Sequence, residues 1–500
     1  MTSDDAYSAL LAHLKTTAAL QGVSGLLSWD QEAMMPPKGG EQRAEQAGAL
    51  SAVLHGRQTD PQMGDWLAAI DVGPLDAAGQ ANVREAKRSF QRATKVPTEL
   101  AEALAKTSSR SQRVWADARA NDSVADFLPA LSEILSLARE YAACLAEGSG
   151  SDALYDALMD DFEPGGSASE TAAMFGRLRA GLSDLRGRIA EAGGDAPRLD
   201  GTFPKEAQLA LAKRLADVFG YDSAAGRIDL VVHPFCSGTR GDVRITTRVD
   251  PENPFDCLYS TVHETGHALY EQGLPPALAW QPAGTHASMG VHESQSRICE
   301  NQLARSEPFC GWLFSQMTET FGDIGVGTAR DFYRAVNRVS PGYIRTEADE
   351  VHYNLHIMMR FELERALIAG DLQVGDLEAA WNDRFRADFG VEVDKPSNGV
   401  LQDVHWSVGL FGYFPTYTLG NVYAGALMAA IRRDMPDLDS ALAAGDVSGA
   451  VSWLRKHVHA AGSVARPADV IATACGGTAD ETALLDYLNG KFSALYPNVC

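Results

Sequence analysis

Residues 227–273 read RIDLVVHPFCSGTRGDVRITTRVDPENPFDCLYSTVHETGHALYEQG. Two runs rich in β-branched residues, 227–233 and 242–249, flank a turn that contains Gly238 and Gly241, and this pattern predicts a small antiparallel hairpin. Apolar residues then recur at helical spacing from 254 to 273. We therefore expect a small sheet directly before a helix at the centre of the chain.

The remainder of the chain has the pattern of helices on both sides of this stretch. No fixed-period repeat or low-complexity linker marks a domain boundary. We therefore expect an all-α (mainly helical) fold with the small β-hairpin or sheet, and we treat residues 1–500 as a single domain. Helical periodicity rich in Ala, Leu, Arg and Glu is found in residues 4–20, 76–94, 97–119, 122–147, 168–192, 205–219, 290–305, 327–337, 346–369, 374–389, 418–433, 446–459 and 478–495.

The composition is that of a globular protein, with 45% hydrophobic and 22% charged residues. The 43 Lys and Arg against 66 Asp and Glu give a net charge of −23, which argues against nucleic acid or an anionic membrane as a partner, because phosphate binding requires a basic surface. No secretory signal is visible, and no apolar stretch approaches the roughly 18 residues of a membrane span. The seven cysteines are scattered without a Cys-x-x-Cys pair, which favours reduced thiols and a cytoplasmic location.

The central helix contains His263-Glu-Thr-Gly-His267. Two histidines four positions apart lie on one face of a helix, so both imidazoles can reach one metal ion. Glu264 follows the first histidine and lies beside such an ion, where it can reach a water molecule without being a ligand. A structural pair of histidines is the alternative interpretation.

A catalytic metal site of this kind requires a third ligand. The metzincin continuation is excluded, because Tyr270 and Gly273 occupy the positions where it needs Gly and His. The alternative is a glutamate on a following helix, and a loop rich in Pro and Gly over 275–284 allows Glu293 to return to the histidines. We predict Glu293 as the third ligand. Glu300, seven residues further on, is either a hydrogen-bond partner of a ligand histidine or a solvated carboxylate.

Two histidines, one glutamate and a water molecule form the ligand set of catalytic zinc. Zinc polarises a carbonyl group and lowers the pKa of its water towards 7. Glu264 can accept that proton as general base and return it to the leaving amine. The sequence therefore predicts hydrolysis of an amide bond.

A second histidine pair, His352 and His356, has the same spacing, but no Glu follows its first member. Apolar residues surround both histidines in the 346–369 helix. The pair is either packed and hydrogen-bonded in the core or part of the lining of a cleft.

Several motifs, in their order along the chain, resemble those of the carboxypeptidase Taq family of zinc metallocarboxypeptidases, which are HExxH enzymes of the gluzincin type. The resemblance extends from about residue 25 to 425, and no motif position departs from the family pattern. Besides the HETGH segment, the motifs are Trp29-Asp-Gln31 with Met35-Pro-Pro and Arg43, His233-Pro-Phe235, Asp242-Val-Arg244-Ile-Thr246, His292-Glu-Ser-Gln295, Ile344-Arg-Thr-Glu-Ala-Asp349 and Gly399-Val-Leu-Gln402-Asp403-Val-His405-Trp406.

The resemblance implies a saddle-like single body with a deep central groove, in which residues 1–500 form one metallocarboxypeptidase catalytic domain. It also implies a homodimer that removes single residues from peptide C-termini with broad specificity but spares Pro. The family pattern puts zinc, with cobalt as an alternative metal, on His263, His267 and Glu293, and makes Glu264 catalytic.

An exopeptidase of this kind must bind a free α-carboxylate, which favours an arginine that can make a bidentate contact. Arg345 is the first choice, because it precedes the acidic Glu347 and Asp349, and Arg244 is the second. A structural pairing of either arginine with a carboxylate is the alternative.

The oxyanion of the reaction also needs hydrogen-bond donors, and His405, Tyr417 and, less directly, Tyr423 are candidates. An aromatic run is as readily explained by core packing. His233 and Asp242 are predicted to line the groove beside an extended substrate, and Gln402 is assigned to substrate binding as well. His233, Asp242 and Gln402 all belong to the family motifs quoted above.

Two other functional classes remain open on the sequence alone. An endopeptidase or dipeptidase on a related helical scaffold would use the same chemistry without a receptor for a terminal carboxylate. A non-catalytic helical binding protein would use the histidines for structure and would lack a metal.

Overall fold

The computed structural model describes residues 1–148, 150–193 and 196–496. Within these residues the chain forms three strands and twenty α-helices, so the mainly helical fold with a small sheet is confirmed. The helices α1 to α20 are, in order, Ser3–Ala33, Gly40–Gln58, Pro61–Ala69, Ala77–Lys95, Thr98–Ala120, Val124–Leu145, Ser151–Met159, Ala168–Ala192, Lys205–Phe219, Pro254–Gly273, Met289–Arg297, Glu307–Phe321, Ala329–Val336, Glu350–Ala369, Leu377–Phe389, Pro415–Asp434, Leu438–Ala443, Ser448–His457, Pro467–Cys475 and Glu481–Leu495.

The sheet differs from the predicted hairpin. Its strands are β1 (Gly226–Leu230), β2 (Cys236–Thr239) and β3 (Asp242–Thr247), in the order β1-β3-β2. β1 pairs with β3 in parallel, and β2 takes the antiparallel position on the other side of β3. The predicted antiparallel pairing of 227–233 with 242–249 is therefore wrong.

The physical reason for this difference lies in the tight turn between β2 and β3. Thr239 pairs with Asp242, so only two residues connect the strands, and Arg240 adopts a φ of 53° there. Gly238 has a φ of 97°, and a Cβ atom at this position would lie 1.9 Å from the carbonyl oxygen of Asp242. This turn makes a four-residue strand out of a segment whose sequence has little β character.

The sheet forms a base for helix α10. Val243 and Ile245 of β3 are fully buried in a cluster with Ala216 of α9 and Ala268 of α10. α10 begins with Pro254 at its first turn, where the missing N–H costs nothing. The packing of Ala268 in this cluster holds one face of α10 against the sheet. His263 and His267, four residues apart on one face of α10, are only partly buried.

Helices α10 and α11 approach each other closely at Gly266. A Cβ atom at this position would lie 2.5 Å from both the carbonyl oxygen of Gln295 and the Cα atom of Ser296. The hydroxyl group of Ser288 caps α11 by accepting a hydrogen bond from the N–H of Val291, at 3.0 Å. A π-helix over Ile298–Ala304 continues α11, and such segments are frequent at functional sites.

The chain divides into two compact units, each assembled from three segments of sequence. Unit 1 contains Met1–Thr94, Pro197–Val336 and Ala426–Ala479, and therefore the sheet, α10 and α11. Unit 2 contains Lys95–Ala196, Asn337–Gly425 and Asp480–Cys500.

The core of unit 2 is organised around α14, which is buried along most of its length. Phe361 of this helix makes edge-to-face contacts with Tyr155 and Phe175, with ring centroids 5.4 and 5.1 Å away. No helix among the described residues is both long enough and apolar enough to cross a bilayer.

Candidate active site

Three side chains of unit 1 bring potential ligand atoms together at one point. The Nε2 atoms of His263 and His267 on α10 lie 3.7 and 3.3 Å from Oε2 of Glu293 on α11. The three ligand atoms all lie within 4.8 Å of one another. The structure thus brings together the three residues that the sequence predicted as a ligand set.

A second set of side chains holds these donors in orientation. Nδ1 of His263 lies 2.9 Å from Oε2 of Glu300, so of the two interpretations of Glu300 the contact favours an acceptor for a predicted ligand histidine. Arg297 donates from Nε to Oε1 of Glu293 at 2.7 Å, and Arg305 donates from Nη2 to Oε1 of Glu300 at 3.0 Å. These bonds leave Nε2 of His263 and Oε2 of Glu293 directed at the common point.

The sequence analysis missed a further group that begins at His267. Nδ1 of His267 lies 2.6 Å from Nδ1 of His292, and Nε2 of His292 lies 3.1 Å from Oε1 of Glu271. The same oxygen lies 2.8 Å from Nδ1 of His286. Glu271 follows His267 by four residues on one helix face, which is the signal that could have identified it.

The electrostatics of the cluster favour a bound cation. Burial alone would lower the pKa of His263, but the carboxylates of Glu293 and Glu300 raise it overall. Burial lowers the pKa of His267 to about 3, so this imidazole is neutral and has one ring nitrogen available as a ligand. Two imidazole nitrogens and one carboxylate oxygen form a donor set that fits a divalent metal ion.

Glu264 lies beside these ligands and is buried. Burial raises the pKa of Glu264 to about 7, the range in which a carboxylate can both accept and return a proton near neutral pH. The side chain therefore has the properties of a general base.

Unit 2 contains a second cluster of buried charges. Nε of Arg345 donates to Oδ1 of Asp403 at 3.0 Å, and Nε of Arg360 donates to Oδ2 of the same carboxylate at 2.6 Å. Arg345 is 6% exposed and Arg360 is fully buried. Although burial opposes it, the two guanidinium groups keep the pKa of Asp403 well below its usual range. Two positive charges share one negative charge, so the group of three has a net charge of +1.

Gln402, His405 and Tyr417 surround this cluster. Oε1 of Gln402 accepts a hydrogen bond from the N–H of Arg345 at 2.9 Å, and its amide group donates to three backbone carbonyl groups, so Gln402 braces the turn that carries Arg345. Nε2 of His405 lies 3.2 Å from the hydroxyl group of Tyr417. The guanidinium carbon of Arg345 lies 4.8 Å from the centre of the Tyr417 ring.

The imidazole of His405 is neutral, because burial lowers its pKa to about 3. Its Nδ1 atom is buried and has no hydrogen-bond partner among the described residues. A buried polar atom without a hydrogen-bond partner is rare in native proteins and accompanies strain, a functional role, or a bound water or ion.

The remaining predicted residues are placed as follows. Arg244 makes a bidentate pair with Asp242 at 2.8 and 2.9 Å and stacks on Trp29, with its guanidinium carbon 4.1 Å from the ring centre. His233 is exposed in the turn after β1. The hydroxyl group of Tyr423 donates to Oε1 of Glu163 at 3.0 Å in the core of unit 2. The substrate-binding roles predicted from the sequence stay predictions for Arg244, Asp242, His233 and Tyr423.

His352 and His356 are fully packed. Nδ1 of His352 bonds to Oδ2 of Asp349 at 2.8 Å, and the ring of His356 lies 4.4 Å from that of Phe389, centre to centre. Of the two interpretations of this pair, these contacts favour the packed one.

A mainly helical protein with two half-buried histidines and a buried glutamate as a donor set, next to a buried carboxylate, has the arrangement of a metallopeptidase. Residues 9–492 match the model of the carboxypeptidase Taq (M32) metallopeptidase family. The chain belongs to this family.

Individual relatives agree with the family match. The thermostable carboxypeptidase 1 of Thermus thermophilus is 42% identical over 99% of this chain and 100% of the relative. Carboxypeptidase 1 of Bacillus subtilis is 33% identical, with 97% of each chain covered. The crystal structure of the M32 carboxypeptidase from Deinococcus radiodurans superimposes with a TM-score of 0.94 at 38% identity, over 99% of this chain and 100% of the other.

The family membership establishes the general activity. The chain is a metallocarboxypeptidase, a hydrolase that acts on peptide bonds with a divalent metal, and its substrates are peptides.

Proposed function

We propose that this chain is a zinc carboxypeptidase that releases single C-terminal residues with broad specificity and spares Pro. The observation that carries the proposal is the pair of buried arginines, Arg345 and Arg360, which share the single carboxylate of Asp403. The net charge of +1 on this group favours a second carboxylate, and the C-terminus of a peptide supplies one. Charge balance therefore supports recognition of a free terminus.

His263, His267 and Glu293 would hold the metal. Zinc is the expected ion, because two imidazole nitrogens and one carboxylate oxygen form its usual catalytic ligand set, and cobalt is an expected substitute. When bound, the cation supplies Lewis-acid polarisation of the scissile carbonyl group and lowers the pKa of water.

Glu264 is the general base in this proposal. Its carboxylate accepts a proton from the attacking water molecule and passes it to the amine that leaves. Its pKa of about 7 supports both transfers, because neither protonation state is strongly disfavoured near neutral pH.

Arg345 is proposed as the residue that binds the α-carboxylate. Arg244 is the weaker candidate, because Asp242 already occupies its bidentate face. Gln402 supports binding by holding the backbone of Arg345, at 2.9 Å. His405 and Tyr417 are proposed to donate hydrogen bonds to substrate oxygens, since Nδ1 of neutral His405 is buried without a hydrogen-bond partner among the described residues, 3.9 Å from Oδ1 of Asp403.

Four further expectations accompany the proposal. Residues 1–500 are expected to act as one catalytic domain, because each unit is built from three interleaved segments and the family match spans 9–492. The homodimer is expected from the family resemblance, and sedimentation equilibrium tests it. Lining of the substrate site by His233, Asp242 and Tyr423 is also retained as an expectation. The free thiols of six described cysteines support a reducing, cytoplasmic compartment.

A comparison of matched peptides tests the proposed function. Peptides with a free C-terminus are expected to lose single residues in sequence, whereas the same peptides with an amidated C-terminus are expected to stay intact. Glu264→Gln should abolish turnover and retain metal. Arg345→Lys should lower kcat/KM for free-acid peptides by about 100-fold, because a lysine cannot reproduce the bidentate contact.

Arg384→Lys is the matched control, since Arg384 also pairs with a buried aspartate, Asp388, in unit 2. It should leave kcat/KM unchanged. Equal cleavage of amidated and free-acid peptides would contradict the exopeptidase proposal, and internal cleavage would indicate an endopeptidase. A series of peptides that differ only in the last residue tests the breadth of specificity. Rapid release of Pro would contradict the proposal that the enzyme spares this residue.

A further inference from the structure

We propose that His292, Glu271 and His286 form a hydrogen-bonded chain of fixed direction that positions His267 as a metal ligand, and that these three residues do not bind a second metal while His267 holds the first. The inference rests on the metal site of the proposed function. It assigns a role to three side chains that the proposed mechanism leaves unused.

The direction of the chain is set at its inner end. Nε2 of His267 lies at the point shared with His263 and Glu293, so its lone pair is the one available to the metal. A neutral imidazole that ligates through Nε2 has its proton on Nδ1. This Nδ1–H group therefore donates to Nδ1 of His292, 2.6 Å away.

The second link follows from the first. Because Nδ1 of His292 accepts a hydrogen bond, the proton of this imidazole is on Nε2, which donates to Oε1 of Glu271 at 3.1 Å. Nδ1 of His286 donates to the same oxygen atom at 2.8 Å. The chain of hydrogen bonds that starts at His267 thus ends on the carboxylate of Glu271, which also accepts from His286. Glu271 is 6% exposed.

Glu271, His286 and His292 also bring three potential ligand atoms within 4.8 Å of one another, which by itself suggests a second metal site. For His292 to ligate through Nε2, its proton would have to be on Nδ1. That proton would then face the Nδ1–H group of His267 across 2.6 Å, with no acceptor between them. The two sites therefore exclude each other unless one imidazole loses a second proton.

The surrounding packing supports a positioning role. The ring of His292 lies 4.7 Å from that of His267 and 5.3 Å from that of Tyr270, centre to centre, so it has little freedom to rotate. His292 also immediately precedes Glu293 on α11. The same residue is thus connected to one metal ligand by a hydrogen bond and to another by the backbone. A carboxylate that orients a ligand histidine typically changes metal affinity by about 10- to 100-fold.

Titration of the metal-free protein with Co²⁺ tests the inference, because the visible spectrum of the ion reports both affinity and coordination. His292→Phe keeps a ring of similar size but removes both hydrogen bonds, and it should weaken Co²⁺ binding at least about 10-fold. His292→Gln can accept from His267 and donate to Glu271, and it should recover most of this loss. Glu271→Gln keeps an acceptor oxygen without the charge and should give an intermediate affinity.

Asp349→Asn is the matched control, because Asp349 is a partly buried carboxylate that bonds to a buried histidine, His352, in unit 2. It should leave Co²⁺ affinity unchanged. Stoichiometry is a second readout, and one Co²⁺ per chain is expected.

The outcomes separate this inference from the proposed function. Failure of the unsubstituted protein to bind Co²⁺ would overturn the metal site itself. Normal binding that is insensitive to His292→Phe and Glu271→Gln would overturn only the positioning chain. Two Co²⁺ ions per chain, with the second lost in Glu271→Gln, would make the three residues a second metal site. Recovery of the melting temperature but not of Co²⁺ affinity in His292→Gln would reduce the role to packing.

Discussion

Glu364 is a single residue that should make the free energy of unfolding depend on pH. Its carboxylate is fully buried and faces three donors: the hydroxyl group of Tyr155, the indole N–H of Trp406 and the backbone N–H of Gly412, at 2.7, 2.8 and 3.1 Å. Burial outweighs these bonds and raises the pKa of Glu364 from 4.5 to about 7. The native state therefore holds a proton that the unfolded chain releases between these two pH values.

The contribution of Glu364 to stability should be full below pH 4.5 and should fall as the pH rises to about 7. The loss is about 3 kcal/mol, from about 1.4 kcal/mol for each pKa unit. Glu364→Gln should remove this change of stability with pH, because an amide does not titrate in this range. At pH 5 the variant should be less stable than the original protein by about 1–2 kcal/mol, because an amide NH₂ group cannot accept from one of the two N–H donors.

Urea unfolding at pH 5 and at pH 8 measures the effect. The difference between Glu364→Gln and the original protein should shrink or reverse at pH 8. The same substitution at the exposed residue Glu206 should give equal differences at both pH values. A pH-independent difference at Glu364 would contradict a raised pKa.

Asp403 is a second residue whose loss should be costly. Asp403→Asn would leave Arg345 and Arg360 buried without their carboxylate, and breaking a buried ion pair in this way costs about 3–5 kcal/mol. The midpoint of urea unfolding should fall accordingly. Asp388→Asn, whose main partner Arg384 is half-exposed, should cost less. Equal effects in the two variants would mean that Asp403 is not a charge partner of both arginines.

The three proposed ligand residues show what residue spacing can and cannot predict about which side chains meet. His263, His267 and Glu293 could be identified because helical periodicity alone puts two of them on one face and chain reversal brings the third near. Arg360 carries no such signal, since its meeting with Arg345 on one carboxylate depends on tertiary packing. His286 was missed for the same reason, because it reaches Glu271 only through the path of the loop after α10.

At the scale of elements, the close contact between α10 and α11 decides whether the ligands meet. Gly266→Ala should separate the two helices, because the added Cβ atom would meet backbone atoms 2.5 Å away that cannot rotate aside. We expect a net loss of about 1–3 kcal/mol in stability, although alanine favours helices by about 1 kcal/mol over glycine. Metal affinity should fall as well, since Glu293 lies on α11.

Gly311 in α12 provides the matched control, because a Cβ atom there would meet nothing within 4 Å. Gly311→Ala should be neutral or stabilising and should leave metal affinity unchanged. Calorimetry and Co²⁺ titration of both variants measure these effects. Unchanged metal affinity in Gly266→Ala would mean that the helices can separate without moving the ligands.

Two elements show why helices were easier to predict than the sheet. Most helices can be predicted from the local periodicity of their apolar residues. The pairing of β1 with β3 instead depends on the turn between β2 and β3, in which a non-glycine residue, Arg240, has a positive φ. The π-helix after α11 was also missed, because its wider turn follows from packing and not from residue spacing.

At the scale of the whole molecule, metal removal should have a regional effect. All three proposed ligands belong to unit 1, and metal present at 1,000 times its Kd should stabilise the native state by about 4 kcal/mol. Chelation should lower the melting temperature, and zinc should restore it. Hydrogen exchange should quicken in α10 and α11 more than in α14. Equal quickening throughout would contradict a site confined to these helices.

The interleaving of the two units has a consequence for synthesis on the ribosome. Unit 1 combines segments from residue 1 to residue 479, and unit 2 combines residues 95–196 with segments that extend to α20. Neither unit can complete its core while most of the chain is still emerging. Unit 2 should therefore complete its core only after α20 has left the ribosome, and a premature stop before α20 would deprive the arginine-bearing unit of a helix that packs against α8.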